Sequence, residues 1–489
     1  MSTFLARAGA ATLARLRVRA EAAAPTALDA LHAHPRHVVL AALVTGLLAG
    51  PLAAPPTVLL LALAAAMLAG RPPLALLAGT AVLVGALGAQ ARVQALDRTS
   101  LPLYFGATAT ARVVLLEQPR PVRFGHTALV ELRALVPDDA AGASALPPRP
   151  DSAAGERVML RIGQDVAWPP ERTGALVDIR GRLRALGPFE QHYARRGAHA
   201  AISLDAAAPT GMRRGGPMGI VDGIRTRAER TLSIRLPPAQ AALLRGMTLG
   251  QDEALDERTR EEFRVSSLAH VLAASGQNVA LLLALGLPLL AAAGLGLRGR
   301  LIGALILIAL YVPLAGAGAS IQRAGVMGAA TTVAALAGRP ASRWYALLLA
   351  AAVTLALNPR ASGEAGWQLS FAAVTAIALL APRLRQAMLA RRVPAPLADA
   401  TAMTTAATLG TAPLLALHFH QLSLVAIPAN LLAAPAIAPI TWLGMLAATL
   451  GQASPALATP LNTLNAYLLA YVGAVAQTAA SLPHASVSW

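Results

Sequence analysis

The sequence contains neither cysteine nor lysine. The absence of cysteine excludes structural disulfides, thiolate metal sites and thiol nucleophiles, and the absence of lysine excludes a Walker-type phosphate-binding loop. Charged residues make up only 13% of the 489 residues and aromatic residues only 4%, whereas 56% are hydrophobic. Because an ordinary soluble protein carries about a quarter charged residues, this composition predicts an integral membrane protein.

The charge balance is strongly positive, with a formal net charge of +17, and all the basic residues other than histidine are arginine. Such a surplus fits an anionic polymer or an anionic lipid as a partner. Cytoplasmic loops of membrane proteins are also rich in arginine without binding any ligand, and this second explanation is favoured. Charge alone therefore does not identify a partner.

Hydropathy divides the chain into five segments. Residues 1–36 predict a cytoplasmic amino-terminal segment, since they carry arginines but no apolar core of a signal peptide. Residues 37–91 predict three transmembrane helices, although the first two apolar runs are shorter than the roughly 20 residues of a perpendicular span. Residues 92–210 predict a β domain and 211–265 an amphipathic helical connector along the membrane interface. Residues 266–489 predict a multi-helix membrane domain.

The β domain is indicated by short alternating runs such as ATARVVLLEQ, TALVELRAL, ERVMLRIG and ALVDIRGRLRAL. Such runs, broken by proline, glycine and aspartate, are typical of small antiparallel β domains, and residues 137–155 predict a surface loop. About five short strands favour a small barrel of the oligonucleotide/oligosaccharide-binding type, an OB-fold-like domain. A plain structural β domain is the open alternative.

Apolar runs predict spans over residues 268–293, 301–316, 321–338, 344–357, 367–381, 401–417, 422–451 and 461–482. The run 422–451 is long and contains Pro428, Pro435 and Pro439, so it is predicted to consist of two half-helices. If the arginine-rich loop 383–393 is cytoplasmic, counting spans from it places the β domain outside the cytoplasm. Counting from a cytoplasmic amino terminus gives the same side.

Polar residues inside apolar helices cost a few kcal/mol unless they face protein or a water-filled path. The first polar cluster comprises His270, Ser275, Gly276, Gln277 and Asn278. Helical spacing places His270 and Asn278 near one face. Alternatively, Ser-Gly breaks the helix so that backbone groups line a cavity, or the cluster is an ordinary polar helix contact.

Further polar residues lie at other helix ends. Arg323, which follows Gln322 at the start of an apolar run, is predicted either to reach the membrane interface or to bind a phosphate. Glu364 is a possible partner for Arg323 or is solvated. Trp367 predicts an interface anchor, flanked by Gln368 and Ser370.

The motif His418-Phe-His420 gives weak support for a metal, because two such histidines diverge on a helix and a third ligand is lacking. We therefore predict no metal site and no cofactor. Asn430, between prolines, predicts a broken helix. A nucleophile and base formed by Ser275 and His270 is conceivable, but no acid accompanies them.

Four stretches in order resemble the ComEC family of competence proteins over residues 237–450: FRVSSLAHVLAASGQNVALLLAL, GAGASIQRAGVMG, GWQLSFAAVTAIALLAP and HFHQLSLVAIPANLLAAPAIAP. The segment LRALGPFEQHYARRGAHAAI resembles the end of that family's extracellular OB-fold domain. The resemblance implies a channel rather than an enzyme, which conducts single-stranded DNA across the cytoplasmic membrane during natural transformation.

The resemblance also implies partners. Besides single-stranded DNA and membrane lipid, we expect a separate DNA receptor and a cytoplasmic ATPase, and a homo-oligomer is possible. Many members of the family end in a metallo-β-lactamase-like domain that is thought to act as a nuclease. Since this sequence stops at Trp489, we expect any nuclease to be another polypeptide.

Two sets of residues follow as candidate contacts with DNA. The path through the membrane is predicted to involve His270, Ser275, Gly276, Gln277, Asn278, Gln322, Arg323, Gln368, Ser370 and Asn430. In the β domain the candidates are Arg180, Arg182, Arg184, Arg195 and Arg196, with Phe124, Trp168, Phe189 and Tyr193 as stacking platforms or as core. Alternative functions are a transporter or flippase of another anionic or amphiphilic substrate and an intramembrane hydrolase or transferase.

Overall fold

A computed structural model describes residues 33–122, 124–138, 153–272 and 274–488. The predicted cytoplasmic segment 1–36 therefore lies almost entirely outside the described residues, and so does most of the predicted loop 137–155. The helices are α1 Pro35–Ala49, α2 Pro55–Ala69, α3 Pro72–Leu96, α4 Gln191–Arg195, α5 Gly216–Thr231, α6 Pro238–Leu249, α7 Glu257–Val265, α8 Ala269–Leu272, α9 Gly276–Ala292, α10 Leu297–Leu314, α11 Ala319–Leu336, α12 Arg343–Leu357, α13 Ala365–Ala390, α14 Ala395–Phe419, α15 Ala426–Leu450 and α16 Ala458–Ala480. The strands are β1 Thr108–Leu115, β2 Arg120–Val122, β3 Gly125–Pro137, β4 Arg157–Ile162, β5 Ala175–Arg184, β6 Ala198–Arg213, β7 Gln421–Ser423 and β8 Ser486–Ser488.

One structural unit contains α1, α2, most of α3, and α12. Prolines occupy the first turns of α1 and α2, where their missing N–H costs no hydrogen bond. Helices α1 and α3 touch through their backbones, because a Cβ atom on Gly85 would lie 2.5 Å from the Leu43 carbonyl oxygen. Such contact between small residues is typical of packing between transmembrane helices.

The second unit begins with the β domain. Strands pair in the order β1-β5-β6-β4-β3, and β3 also pairs with β1, so the pairings close a ring. All these pairs are antiparallel except β4 with β6, which is parallel. The ring encloses an apolar core that includes Val113, Leu132, Leu160, Ile179 and Ile202. The predicted β domain is thus present, with one parallel pair that the sequence pattern did not indicate.

The connector forms α5, α6 and α7, and its apolar faces are covered by α15 and α16. Leu244 of α6, Phe263 of α7 and Val472 of α16 belong to one buried core. The connector helices therefore bury their apolar faces against other helices of the protein. The amphipathic pattern had instead predicted helices that lie along the membrane interface.

Long apolar helices follow the connector. The helical run Pro72–Tyr104, α10, α13, α14 and α15 are long and apolar enough to cross a membrane, and α1, α2, α9 and α12 are shorter apolar helices. The chain is accordingly a helical protein of the polytopic membrane class, as its composition predicts.

The structure corrects two predicted spans. The run 268–293 is interrupted between α8 and α9, whereas the run 422–451 is not two half-helices. In the second case α15 is one continuous helix with Pro435 and Pro439 inside it. Helix α16 packs along α15, and the Tyr471 hydroxyl donates to the Leu432 carbonyl at 2.8 Å in the proline-containing stretch. The carbonyls that lose their helical donor are those of Leu431 and Pro435, four residues before each proline, so the Tyr471 bond fixes the neighbouring turn rather than replacing a lost bond.

Candidate functional site

The candidate site begins where α9 starts. Ser275 has an extended backbone before the first helical residue, Gly276, and the Asn278 N–H donates to the Ser275 carbonyl at 3.0 Å. Serine is a favoured residue at this boundary. Of the sequence alternatives, the structure has the break in the helix at Ser-Gly rather than a continuous helix through His270 and Asn278.

A buried hydrogen-bond chain joins α9, α11 and α13. Arg323 Nε donates to Ser370 Oγ at 2.8 Å, Ser370 Oγ donates to Ser320 Oγ at 3.1 Å, and the Gly276 N–H donates to Ser320 Oγ at 3.1 Å. We call Gly276, Ser320, Arg323 and Ser370 the serine–arginine cluster. It unites three predicted path residues with Ser320.

Arg323 is only 7% exposed. Within the described ranges, no carboxylate lies at ion-pair distance from Arg323, whose contacts are Ser370, the Met327 sulfur at 3.9 Å and the Phe371 ring. An unpaired charge in such an environment is costly and points to function. The first turn of α9 adds positive potential beside it, because helix amino termini attract anions.

Glu364 does not pair with Arg323, so that predicted alternative is wrong. Its carboxyl is influenced by Arg195 and Arg196 of the β domain, and burial raises the pKa of Glu364 despite these arginines. Glu364 therefore does not neutralise the charge of Arg323.

Asn278 forms a second buried connection. Its Nδ2 donates to the Met247 carbonyl at 2.6 Å and to the Tyr311 hydroxyl at 3.1 Å, and that hydroxyl donates to the Thr248 carbonyl at 2.8 Å. Ser275 Oγ lies 3.4 Å from Asn278 Oδ1. Asn278 thereby ties α9 and α10 to the end of the connector helix α6.

Two predicted glutamines make local contacts. Gln322 Nε2 donates to the Ala317 carbonyl, and Gln368 Nε2 donates to the Ser362 carbonyl. Gln368 Oε1 accepts a hydrogen bond from His418 Nε2 at 2.7 Å. His418 is thus engaged by an amide, and no cluster of metal-binding side chains occurs among the residues described.

Three of the predicted path residues, His270, Gln277 and Asn430, are not part of the serine–arginine cluster. His270 and Gln277 are exposed, and Asn430 donates to the Ala426 carbonyl within the unbroken α15, so the broken helix predicted there is wrong. His270 contacts the Ser267 carbonyl rather than Ser275. The described contacts therefore give no nucleophile–base pair.

The sequence interpretation missed Ser320 and Tyr311. Ser320 precedes Arg323 by three positions, a spacing that places both on one helix face and could have revealed it. Tyr311 lies in another apolar run without any local polar pattern, so its contact with Asn278 could be found only from tertiary structure.

The five predicted arginines of the β domain all have partners within the chain. Arg180, Arg182 and Arg184 alternate along β5 and point outward. They contact Asp138, the Gly106 carbonyl and Glu190, respectively. Arg195 donates to the Gly363 carbonyl beside α13, and Arg196 pairs with Glu117. These arginines help to hold the β domain together and dock it onto the helices.

The aromatic residues of the β domain differ in exposure. Tyr193 is buried and its hydroxyl donates to Thr127, so it belongs to the core, and Trp168 packs partly against the barrel core. Phe189 is 96% exposed, and Phe124 is also exposed.

The turn that carries Phe189 is held by Glu190. Its carboxylate pairs with Arg184 at 2.6 and 2.7 Å and accepts the Gly187 N–H at 2.8 Å. The hydrogen bonds from Arg184 hold the pKa of Glu190 below its ordinary value. Phe189 is therefore an exposed ring on a firmly held turn.

Comparisons with known proteins give a consistent result. The family model described as Competence protein matches residues 247–489. ComE operon protein 3 of Bacillus subtilis (strain 168) is 30% identical over 200 residues, which cover 41% of this chain and 25% of that protein. The chain thus matches about a quarter of the length of that relative. No solved structure matches.

Proposed function

Because residues 247–489 belong to the ComEC family of competence proteins, we propose that this chain takes part in DNA uptake during natural transformation. In this proposal it conducts a single strand of DNA across the cytoplasmic membrane and acts as a channel rather than an enzyme. The observation that carries the proposal is Arg323, a buried cation beside the amino terminus of α9 that has no carboxylate partner in the described part of the chain.

A DNA phosphate is an anion that suits this environment. Arginine and helix amino termini both bind phosphate oxygens well. Arg323 Nε donates a hydrogen bond to Ser370. No hydrogen bond is described for Nη2 of Arg323. A single fixed cation binds each phosphate weakly enough to release it, as conduction requires.

The β domain receives the strand in this proposal. A closed ring with one parallel pair, β4 with β6, supports an OB-fold-like barrel, a type that binds oligonucleotides. Exposed Phe189 and Phe124 offer rings for base stacking. The distribution of arginine in the loops supports an extracytoplasmic position for this domain.

The proposal also includes further components of DNA uptake. The sequence contains no Walker lysine, so the energy for translocation is assigned to a separate cytoplasmic ATPase. A DNA receptor, a nuclease and further copies of this chain are also proposed partners.

The test is uptake of labelled DNA in a strain that lacks the chromosomal gene and carries plasmid-borne variants. Arg323→Gln is expected to reduce uptake and transformation at least tenfold, and Arg323→Lys is expected to retain part of both. Arg298→Gln, which removes an exposed arginine at the start of α10, is the matched control. Equal transformation by the deletion strain and the complemented strain would contradict the proposal.

A second candidate is a transporter of another anionic or amphiphilic substrate. The same observation favours it, since a lone buried guanidinium does not distinguish a DNA phosphate from another anion. An unchanged transformation frequency in the deletion strain, together with loss of function in Arg323→Gln toward such a substrate, would select this candidate.

A further inference from the structure

A cavity of about 330 Å³ lies between the β domain and the connector. The β domain contributes the loop residues Gln118, Pro119 and Trp168, and the connector contributes Arg245 of α6 and Gln251 beyond its end. The volume is at the lower end of the range of about 300–1,000 Å³ that is usual for small-molecule sites. It is separate from the serine–arginine cluster.

Two buried polar atoms of cavity-lining residues have no hydrogen-bond partner among the residues that the structure describes. Trp168 Nε1 is a donor without an acceptor, and Gln251 Oε1 is an acceptor without a donor. The Gln251 amide nitrogen is already used, because it donates to Glu229. Buried polar atoms are almost always satisfied in folded proteins, so this opposite pair at one cavity points to a ligand with both a donor and an acceptor.

The cavity is lined by three carboxylates, Glu171, Glu229 and Glu253, and by two arginines, Arg172 and Arg245. Arg172 pairs with Glu229 at 2.7 Å, and Glu253 pairs with Arg120 at 3.4 Å. Arg245 differs, since its described hydrogen bond goes to the Ala241 carbonyl at 3.3 Å and no ion pair is described for it. Arg245 is thus the lining arginine without a described ion pair, although Glu229 and Glu253 act on it electrostatically, and it is the group placed to contact an anionic part of the ligand.

We propose that this cavity binds one nucleobase of a DNA strand, with the adjoining phosphate at Arg245. Trp168 provides the aromatic platform, and its Nε1 donates to an acceptor of the base. Gln251 Oε1 accepts from an amine or ring N–H of the base. Bases have the required ring and carry both kinds of polar group, and stacking on aromatic side chains is the usual contact of single strands.

The position of the cavity connects it to the membrane domain. Helix α6 carries Arg245, and the carbonyls of Met247 and Thr248 near the same helix end are bonded to Asn278 and Tyr311. A base held in this cavity would fix the strand where the connector joins the helices. This inference rests on the proposed function and adds a specific base-binding residue set to it.

The experiment uses the full chain in lipid nanodiscs and a fluorescein-labelled 12-mer of deoxythymidine, with an abasic 12-mer of equal charge as a second probe. The wild type is expected to prefer the strand with bases. Trp168→Ala and Arg245→Gln are expected to weaken its binding about tenfold, whereas Trp168→Phe, which keeps a ring but lacks the Nε1 donor, is expected to give a smaller loss. Trp344→Phe and Arg298→Gln are the controls for tryptophan and arginine loss.

Thermal unfolding of each variant establishes that it is folded, and Trp168→Phe keeps the test valid if Trp168→Ala is unstable. Equal affinity of the wild type for both probes, or unchanged affinity in folded Trp168→Ala and Arg245→Gln, would overturn the cavity assignment. If transformation still depends on the gene, the proposed function survives that result. A wild type that binds neither probe, with a deletion strain that transforms normally, overturns both.

Discussion

A Cβ atom added to Gly276 would lie 2.6 Å from Nη2 of Arg323. Helix α9 can therefore begin against this guanidinium only because residue 276 has no side chain. The nearest atom is the end of a long side chain rather than backbone, so a substitution moves the guanidinium before it moves the helix.

Gly276→Ala is expected to displace Arg323 from Ser370 and to reduce DNA uptake at least tenfold, with normal amounts of protein in the membrane. Gly366→Ala is the matched control, since a Cβ atom on Gly366 meets nothing within 4 Å. Uptake and membrane abundance are measured in the same cells. Normal uptake in Gly276→Ala would show that the position of the guanidinium is unimportant.

Arg323→Met is expected to raise the thermal unfolding midpoint in detergent while uptake is lost. An unpaired buried charge opposes folding, and its replacement by an apolar side chain of similar length removes that cost, by about 1 kcal/mol or more. Ser370→Ala should have the opposite effect on stability, about 1.5–3 kcal/mol, because the charged Arg323 loses a hydrogen bond. A lower midpoint in Arg323→Met would mean that the charge is compensated.

Asn278→Ala is expected to destabilise the junction between α9 and α6 by about 1–3 kcal/mol, since the Met247 carbonyl and the Tyr311 hydroxyl lose their donor. Tyr311→Phe removes one of the same bonds and should have a smaller effect. The measurement is thermal unfolding, with exposed Gln277→Ala as the control. Equal midpoints for the Asn278 and Gln277 variants would contradict this role.

The sequence pattern predicted the membrane class and the β domain because both depend on local hydropathy. It left the break at Ser-Gly as one of several alternatives and was wrong about the proline-containing run 422–451, because packing decides both. Ser-Gly at Ser275 interrupts a helix, whereas Pro435 and Pro439 do not, although proline is the stronger breaker in isolation. Helix α15 packs along α16, and this packing helps to keep the helix continuous although each proline removes one backbone hydrogen bond.

In the candidate site, too, the sequence reveals single polar residues but not the contacts between them. Arg323 and Ser370 are recognisable as polar residues in apolar runs, but 47 positions separate them, and their hydrogen bond follows only from the packing of α11 against α13. The partners of the β-domain arginines could not be predicted from the sequence either. Arg180 finds Asp138 at the end of β3, a neighbour that depends on how the ring of strands closes.

Phe189→Ala is expected to weaken binding of single-stranded DNA several-fold without a change in the unfolding midpoint, because the ring is exposed and contributes little to the core. Leu103→Ala, which removes another exposed apolar side chain of this region, is the control. Equal DNA affinity in the two variants would exclude Phe189 as a stacking platform.

The stability of the turn that carries Phe189, and with it the affinity for single-stranded DNA, should also depend on pH. Because the pairing with Arg184 holds the pKa of Glu190 below its ordinary value, the turn is stabilised at neutral pH. That stabilisation decreases as the pH falls through the lowered pKa. Glu190→Gln should give at neutral pH the weaker DNA binding that the wild type gives in acid, and it should remove this pH dependence. Affinity measured from pH 7 down to about pH 3 tests this, because the pKa of Glu190 lies below the ordinary glutamate value of about 4.3. Parallel pH curves for the wild type and the variant would contradict it.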